Sequence, residues 1–258
     1  MKRKSLPLSI ISLVVFIVGI MASLIFNTLV LWANLTGQSF WGSPEALTFD
    51  SSLTAEARLA RLSCPIILSP GEVGEVNVKV SNPKDDPIEA WISAHISMPG
   101  EKENMVRETR PAPLAPGESM ILRWEVSEDN IIQQRMILVR VFLRLSDLHP
   151  PARTKHCGVM MVDLWGLPSR TVTLLALVGG HVLQGVGIWM WWTGSPALGK
   201  RTHLTQNTLV ALSIFSLVMS LGSVFHSWVF SMISLLLSIL LVFTTLGYLF
   251  GMSDSSSG

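Results

Sequence analysis

Three small sets of residues in this chain have the types that chemistry uses. The first is the only cysteine pair, Cys64 and Cys157, with His149 and His156 close to the second of them. Such a set makes either a disulfide or a thiolate–imidazole metal site. No CxxC or HxxxH spacing supports the metal site. A disulfide is therefore the expectation, given an oxidising compartment. The second set is His181 with Gln184, one helical turn apart inside the apolar, glycine-rich run TLLALVGGHVLQGVGIW. An ionisable residue in such a run points to function. Three roles suit it: proton relay, haem ligand, or contact with another subunit. Haem needs a second histidine at matching depth, and His226 lies at a helix end. A relay needs acids, and the apolar runs hold none. Against all three stands a neutral His181 bonded to Gln184, a serine or a backbone carbonyl. The third set is Trp91 and His95. By strand parity both leave the apolar face of IEAWISAHISM, and an outward tryptophan is a binding candidate.

Catalytic constellations are missing. No Ser-His-Asp order, phosphate loop, metal-ligand spacing or carboxylate pair is present, so neither an enzyme nor a cofactor is expected. A net charge of +1 with no basic stripe argues against nucleic acid as a partner.

The elements that must position these residues follow from where the charge lies. The chain has 258 residues, 49% hydrophobic and 14% charged, and 30 of its 37 Asp, Glu, Lys and Arg residues fall in 34–165. The flanks are apolar enough for a bilayer, which takes about 20 such residues per helix. A basic start and first span take 1–32. The other spans are 171–192, 205–225 and 229–250, with a loop at 193–204 and a tail at 251–258. Lys2, Arg3 and Lys4, with Lys200 and Arg201, put both termini in the cytoplasm and 62–165 outside. The linker 33–61 is read with a short helix over 53–62. The first run is too long for a cleaved signal peptide and reads as an anchor.

Between 62 and 165 the period becomes two. Val76, Val78 and Val80 share a face; so do Ala90, Ile92, Ala94 and Ile96; so do Leu122, Trp124 and Val126; so do Ile137, Val139, Val141 and Leu143. With strands at 63–68, 105–109 and 156–164 this gives about seven, an antiparallel sandwich of immunoglobulin type. Its stretches PIILSPGEVGEVNVKVSNPKDDPIEAWISAHI and LAPGESMILRWEV resemble the CARDB and NEW3 kind of bacterial immunoglobulin-like module. The shared feature is a PGE turn before a strand, an Asn-containing turn, and a second PGE. That resemblance implies a binding or spacer role and a bacterial cytoplasmic membrane.

In the last two spans Ser216, Ser220 and Ser223 mirror Ser238, Ser234 and Ser231 about Ser227. Small hydroxyl residues let membrane helices approach. The two spans are expected to zip along this seam. Two functions follow. One is a membrane-held Ig-like domain that binds a protein or ligand through the Trp91 and His95 face. The other is an accessory subunit of a transport or electron-transfer complex, touched at Gly180, His181 and Gln184.

Overall fold

The computed structural model describes residues 6–42, 58–101, 104–144, 153–194 and 199–254. It divides into two compact units, Met1–Leu31 with Thr171–Gly258, and Trp32–Arg170.

In the second unit the alternating segments fold into two sheets. One has the order β1 (Arg58–Ser63), β3 (Gly74–Ser81), β6 (Ser119–Val126). The other has the order β2 (Ile67–Leu68), β8 (Arg153–Met161), β7 (Met136–Arg144), β4 (Ile88–Ser97), β5 (Met105–Leu114). Their apolar faces share one core. Val76, Val78, Val80 and Trp124 come from the first sheet; Ala90, Ile92, Ala94, Val139, Val141, Cys157 and Val159 come from the second. Parity thus falls as the sequence reads it.

Three features differ from expectation. Eight strands are described, because Pro65 has no N–H and breaks 63–68 into β1 and β2, which join different sheets. β2 pairs parallel with β8, so the second sheet is mixed. Residues 58–62 are strand, not helix; Leu62 and Ser63 align with Val78 and Asn77 of β3, and this pairing overrides a moderate helix propensity. Residues 53–57 lie outside the described part.

Both PGE turns have the same build. Ser69-Pro70-Gly71-Glu72 and Ala115-Pro116-Gly117-Glu118 each close an i to i+3 bond of 3.1 Å. The glycines take φ of +77° and +73°, as the third position of a type II turn requires. Each glutamate carboxylate then accepts the N–H three residues back, at 3.0 Å from Ser69 and 2.8 Å from Ala115. Glu72 also accepts the Ser169 N–H at 3.1 Å. Burial alone would raise the Glu72 carboxyl, but these hydrogen bonds from Ser169 and Ser69 outweigh it and hold it below the ordinary range.

The first unit is helical: α2 (Ser169–Leu174) from Thr171 on, a π-helical turn at Leu175–Gly179, α3 (Gly180–Gly194), α4 (Gly199–Val224) and α5 (Trp228–Asp254), with the first part of α1 (Leu6–Trp41). Four helices, Ile10–Trp41, Ser169–Gly194, Thr205–Val224 and Trp228–Thr245, are long and apolar enough to cross a membrane. Among the unit's described residues Phe16, Ile20 and Leu209 form one buried apolar cluster. The α4–α5 hairpin is closed by a left-handed cap. His226 has φ +52°, Ser227 N–H reaches Gly222 O at 2.8 Å and His226 N–H reaches Ser223 O at 3.2 Å, the paired bonds of a Schellman motif.

Helix α1 does not end near 32. It runs on through ANLTGQSFW to Trp41, and Gly42, at φ +60°, stops it. The expected linker at 33–61 therefore begins as helix. Its last residues belong to the sheet unit, where packing on the second sheet holds them.

Candidate functional sites

In the helical unit a polar cluster joins α1, α3 and α4. Ser23 and Asn27 stand one turn apart on α1, His181 and Gln184 on α3, and Ser216 and Ser220 on α4. Ser220 Oγ accepts from Asn27 Nδ2 at 2.9 Å and lies 3.0 Å from His181 Nε2. Gln184 Nε2 donates to Ser23 Oγ at 3.2 Å, Ser216 Oγ at 3.3 Å and Gly19 O at 3.4 Å. Ser23 Oγ reaches Ala176 O in the π-helical turn at 3.4 Å. Such turns redirect backbone carbonyls and recur at functional sites. Glycines admit the neighbouring backbone: a Cβ on Gly19 would sit 2.7 Å from Gly180 O, and one on Gly187 would sit 2.8 Å from Phe16 Cβ.

This corrects the expected subunit-contact surface. Gly180 and Gln184 face α1 of the same chain, and Gln184 is 1% exposed. Glycine spacing shows which face is small, not which neighbour fills it. His181 alone of the three reaches the edge of the bundle. It is half-buried and lines an open groove of about 450 Å³ with Leu177, Val178, Val182, Leu217 and Leu221. Ser23 and Asn27 escaped the sequence reading; their one-turn spacing in an apolar run was the signal. Gln184→Leu is expected to cost about 0.6–2 kcal/mol, the span from measured averages in a folded membrane protein to model-peptide values for a hydrogen bond between membrane helices. Denaturant titration of the full chain in micelles checks this, and a change under about 0.3 kcal/mol would show the amide to be a spectator.

All six seam serines, Ser216, Ser220, Ser223, Ser231, Ser234 and Ser238, are buried. Their bonds do not form the expected zipper. Ser216 and Ser220 turn to α3 and α1, as above; Ser231 donates to Met219 O at 3.4 Å, and Ser238 bonds back to Ser234 O at 2.8 Å. Gly222 is the residue packed against Ser231. The α4 stripe is shared among α1, α3 and α5, so its hydroxyls are not all turned to α5.

In the sheet unit Cys64 and Cys157 are joined as a disulfide, with Cα atoms 6.6 Å apart. The alternative metal set dissolves: both thiols are used, His156 and Cys157 are consecutive on a strand and face opposite ways, and His149 lies outside the described residues. Among the described residues no group of three His, Cys, Asp or Glu is placed to hold a metal.

Trp91 is 41% exposed and pairs across the ladder with Pro111 of the edge strand β5. His95, expected beside it on an open face, is instead 8% exposed. The end of α1 covers it. Trp41 lies against His95 with ring centres 6.0 Å apart, and Phe142 meets its other side at 4.7 Å. Arg140 Nη1 donates to Trp41 O at 3.3 Å. Further along, Asn34 Oδ1 accepts the Gly158 N–H at 3.2 Å, and Gly158 lies directly under the Ala33 carbonyl. Asn34 begins the sequon Asn34-Leu35-Thr36, but at 4% exposure it is committed to the sheet and takes no glycan in this fold.

The class these observations define is a protein of four span-length apolar helices with a two-sheet domain between the first and second. No protein-family model and no characterised protein matches the chain at a significant level. Among solved structures it is similar to the CARDB domain of the PF1109 protein from Pyrococcus furiosus, at 13% identity and TM-score 0.32, over 42% of this chain and 93% of that one. It is also similar to a beta-glucosidase from Listeria innocua, at 21% identity and TM-score 0.30, over 42% of this chain and 16% of the enzyme. A beta-glucuronidase from Bacteroides uniformis matches at 13% identity and TM-score 0.30, over 39% of this chain and 13% of the enzyme. The chain thus spans only a small part of either glycosidase. The CARDB-like likeness noted in the sequence is present among these neighbours, and identities this low assign no activity.

Proposed function

We propose that the chain is an integral membrane protein of the bacterial cytoplasmic membrane, with four spans and both termini in the cytoplasm. Its two-sheet domain is an Ig-like module held outside, without catalytic activity, and presents the β4–β5 face to a protein or ligand. The observation that carries the reading is the exposure of Trp91, since the rest of that face near His95 is already covered by α1. Large exposed aromatics anchor interfaces. The Cys64–Cys157 bridge supports an oxidising compartment for this domain.

A second reading has the chain as an accessory subunit of a larger membrane complex. The position of His181 in a groove open at the edge of the helical unit favours it. One experiment separates the two: the mass of the intact particle extracted from its native membrane in mild detergent. Under the first reading a partner of fixed stoichiometry is lost at least tenfold with Trp91→Glu and retained with His181→Leu. The second reading inverts those results. A partner retained by Trp91→Glu removes Trp91 from the site.

A further inference from the structure

Where the sheet unit meets the start of the second span, two turns form one corner. The first is Ser69-Pro70-Gly71-Glu72, described above. The second is Leu164-Trp165-Gly166-Leu167, closed by the Leu167 N–H donating to Leu164 O at 3.0 Å. Ser69 Oγ donates to Leu167 O at 2.7 Å, and the Ser169 N–H donates to Glu72 at 3.1 Å. The Val162 N–H donates to Leu68 O at 2.8 Å and joins their roots. The two turns are far apart in sequence and are held as one piece.

This corner displays apolar side chains that the chain itself does not cover. Val73, next after Glu72, is 62% exposed, and Trp165 is 90% exposed. Trp165 also sits on a costly backbone. Its φ is +53° and that of Gly166 is +70°, so both central residues of the turn are left-handed, as in type I′. Gly, Asn and Asp suit those positions; a bulky aromatic there is an outlier. The turn bond holds it, and so does Asp163 Oδ1, which accepts the Gly166 N–H at 3.2 Å. With so little of its surface covered, the indole returns almost nothing to the fold. Strain kept without an internal contact points to an external one.

The position of the corner names the partner. Ser169 opens the span-length apolar helix Ser169–Gly194. Trp165 precedes it by four residues, or about 14 Å of extended chain. That tether would let the indole stand clear of the headgroup layer, which is about 5–8 Å deep on each side. Val73 is brought to the same place from a distant segment, by the bond between Glu72 and Ser169. Tryptophan collects at this depth because its ring is apolar and its N–H is polar. Charge does not draw the corner to anionic lipid. Glu72 and Asp163 stand on it, and Glu128 joins them by accepting the Gly71 N–H at 3.2 Å.

We propose that Val73 and Trp165 are a lipid-docking corner: both side chains enter the boundary between headgroups and acyl chains of the adjacent leaflet and hold the sheet unit on the bilayer where the second span begins. Docking rests on the four-span reading above, and it is independent of what binds at Trp91.

The test uses the full chain with its native bridge intact, in phosphatidylcholine vesicles. One cysteine carrying the fluorophore NBD replaces Val73, Trp165 or, as a control, Ser119. Ser119 is exposed and opens β6, whose other end, Val126, pairs with Gly74; it lies about 23 Å along the strand from the corner. Lipids with a nitroxide high on the acyl chain should quench the Val73→Cys and Trp165→Cys probes at least about threefold more than the Ser119→Cys probe. Adding Trp165→Glu to Val73→Cys should lower its quenching at least about twofold, and Trp165→Phe should preserve it. The exposure of Trp165 keeps both substitutions clear of the core. A Val73 probe quenched no more than Ser119, or quenching unmoved by Trp165→Glu, overturns the docking. A blue-shifted Val73 probe that the lipid nitroxides do not reach gives the corner to a protein neighbour and overturns it as well. Extraction with alkaline carbonate reads the spans separately. A chain that stays in the membrane with Val73 unquenched loses the docking alone, and a chain that is released loses the four-span reading with it.

Discussion

Gly158→Ala is expected to lower the stability of the sheet unit by about 2–4 kcal/mol, combining overpacking with a strained hydrogen bond. The added Cβ would fall on the carbonyl of Ala33, and carbonyl oxygens in a helix cannot step aside as a flexible side chain does. Either α1 lifts from the sheet, or β8 bends away from it. Both also break the bond between Asn34 Oδ1 and the Gly158 N–H. That N–H belongs to a ladder position that β2 does not reach, since β2 pairs only with Met160 and Met161. For a domain of this size the cost corresponds to a melting point lower by about 10 °C. Asn34→Ala removes the hydrogen bond but keeps the close approach, and should cost about 1 kcal/mol. Thermal unfolding of the full chain, read by limited proteolysis of the sheet unit, distinguishes the two. A Gly158→Ala protein as stable as the parent would mean that the helix does not rest on β8.

Removing the bridge is the larger perturbation. Cys64 and Cys157 are 93 residues apart, and they tie the end of β1 in one sheet to β8 in the other. Closing so long a loop restricts the unfolded chain by about 4–5 kcal/mol in the chain-entropy model, an upper figure. Cys64→Ala with Cys157→Ala should lose most of that, and reductant should produce the same drop in the parent but none in the variant. Cys157 has no exposed surface and Cys64 is nearly buried, so the native bridge should resist mild reductant until the domain opens. Maleimide labelling of either cysteine in the unreduced native protein would refute the bridge.

Much of this fold was legible because a half-buried strand has one period and a helix another. The valines of β3, the alternation of β4 and the runs of β6 and β7 each fixed a face, and the core uses those faces. Residues 33–41 and 58–62 were misread for one reason. Neither ANLTGQSFW nor RLARL has a decisive period, so partners distant in sequence chose their structure: β8 for the first and β3 for the second. The site was half legible. Sequence located His181 and Gln184 as the polar pair of the second span, and Ser220 supplies the imidazole with one of the expected partners. Which side of the helix each faces depends on how α1 packs, and the glycine spacing holds no such information. The serine mirror had the same limit: it marked the small face of α4 without saying that α1 and α3 share it. His95 had correct parity but the wrong exposure, because parity knows nothing of a helix laid over a sheet.

The bond between Asn34 and Gly158 spans 124 residues of chain. At about 5–20 residues per second, a ribosome needs roughly 6–25 seconds between the two. Throughout that interval the end of α1 has been made and β8 has not. The surface that Ala33, Gly37 and Trp41 will later cover must form first, and β8 is the last of the eight described strands to be made. Seating of the helix is therefore a closing event of biogenesis, and a chain stalled before β8 would carry an unseated helix end and an unpaired Cys64.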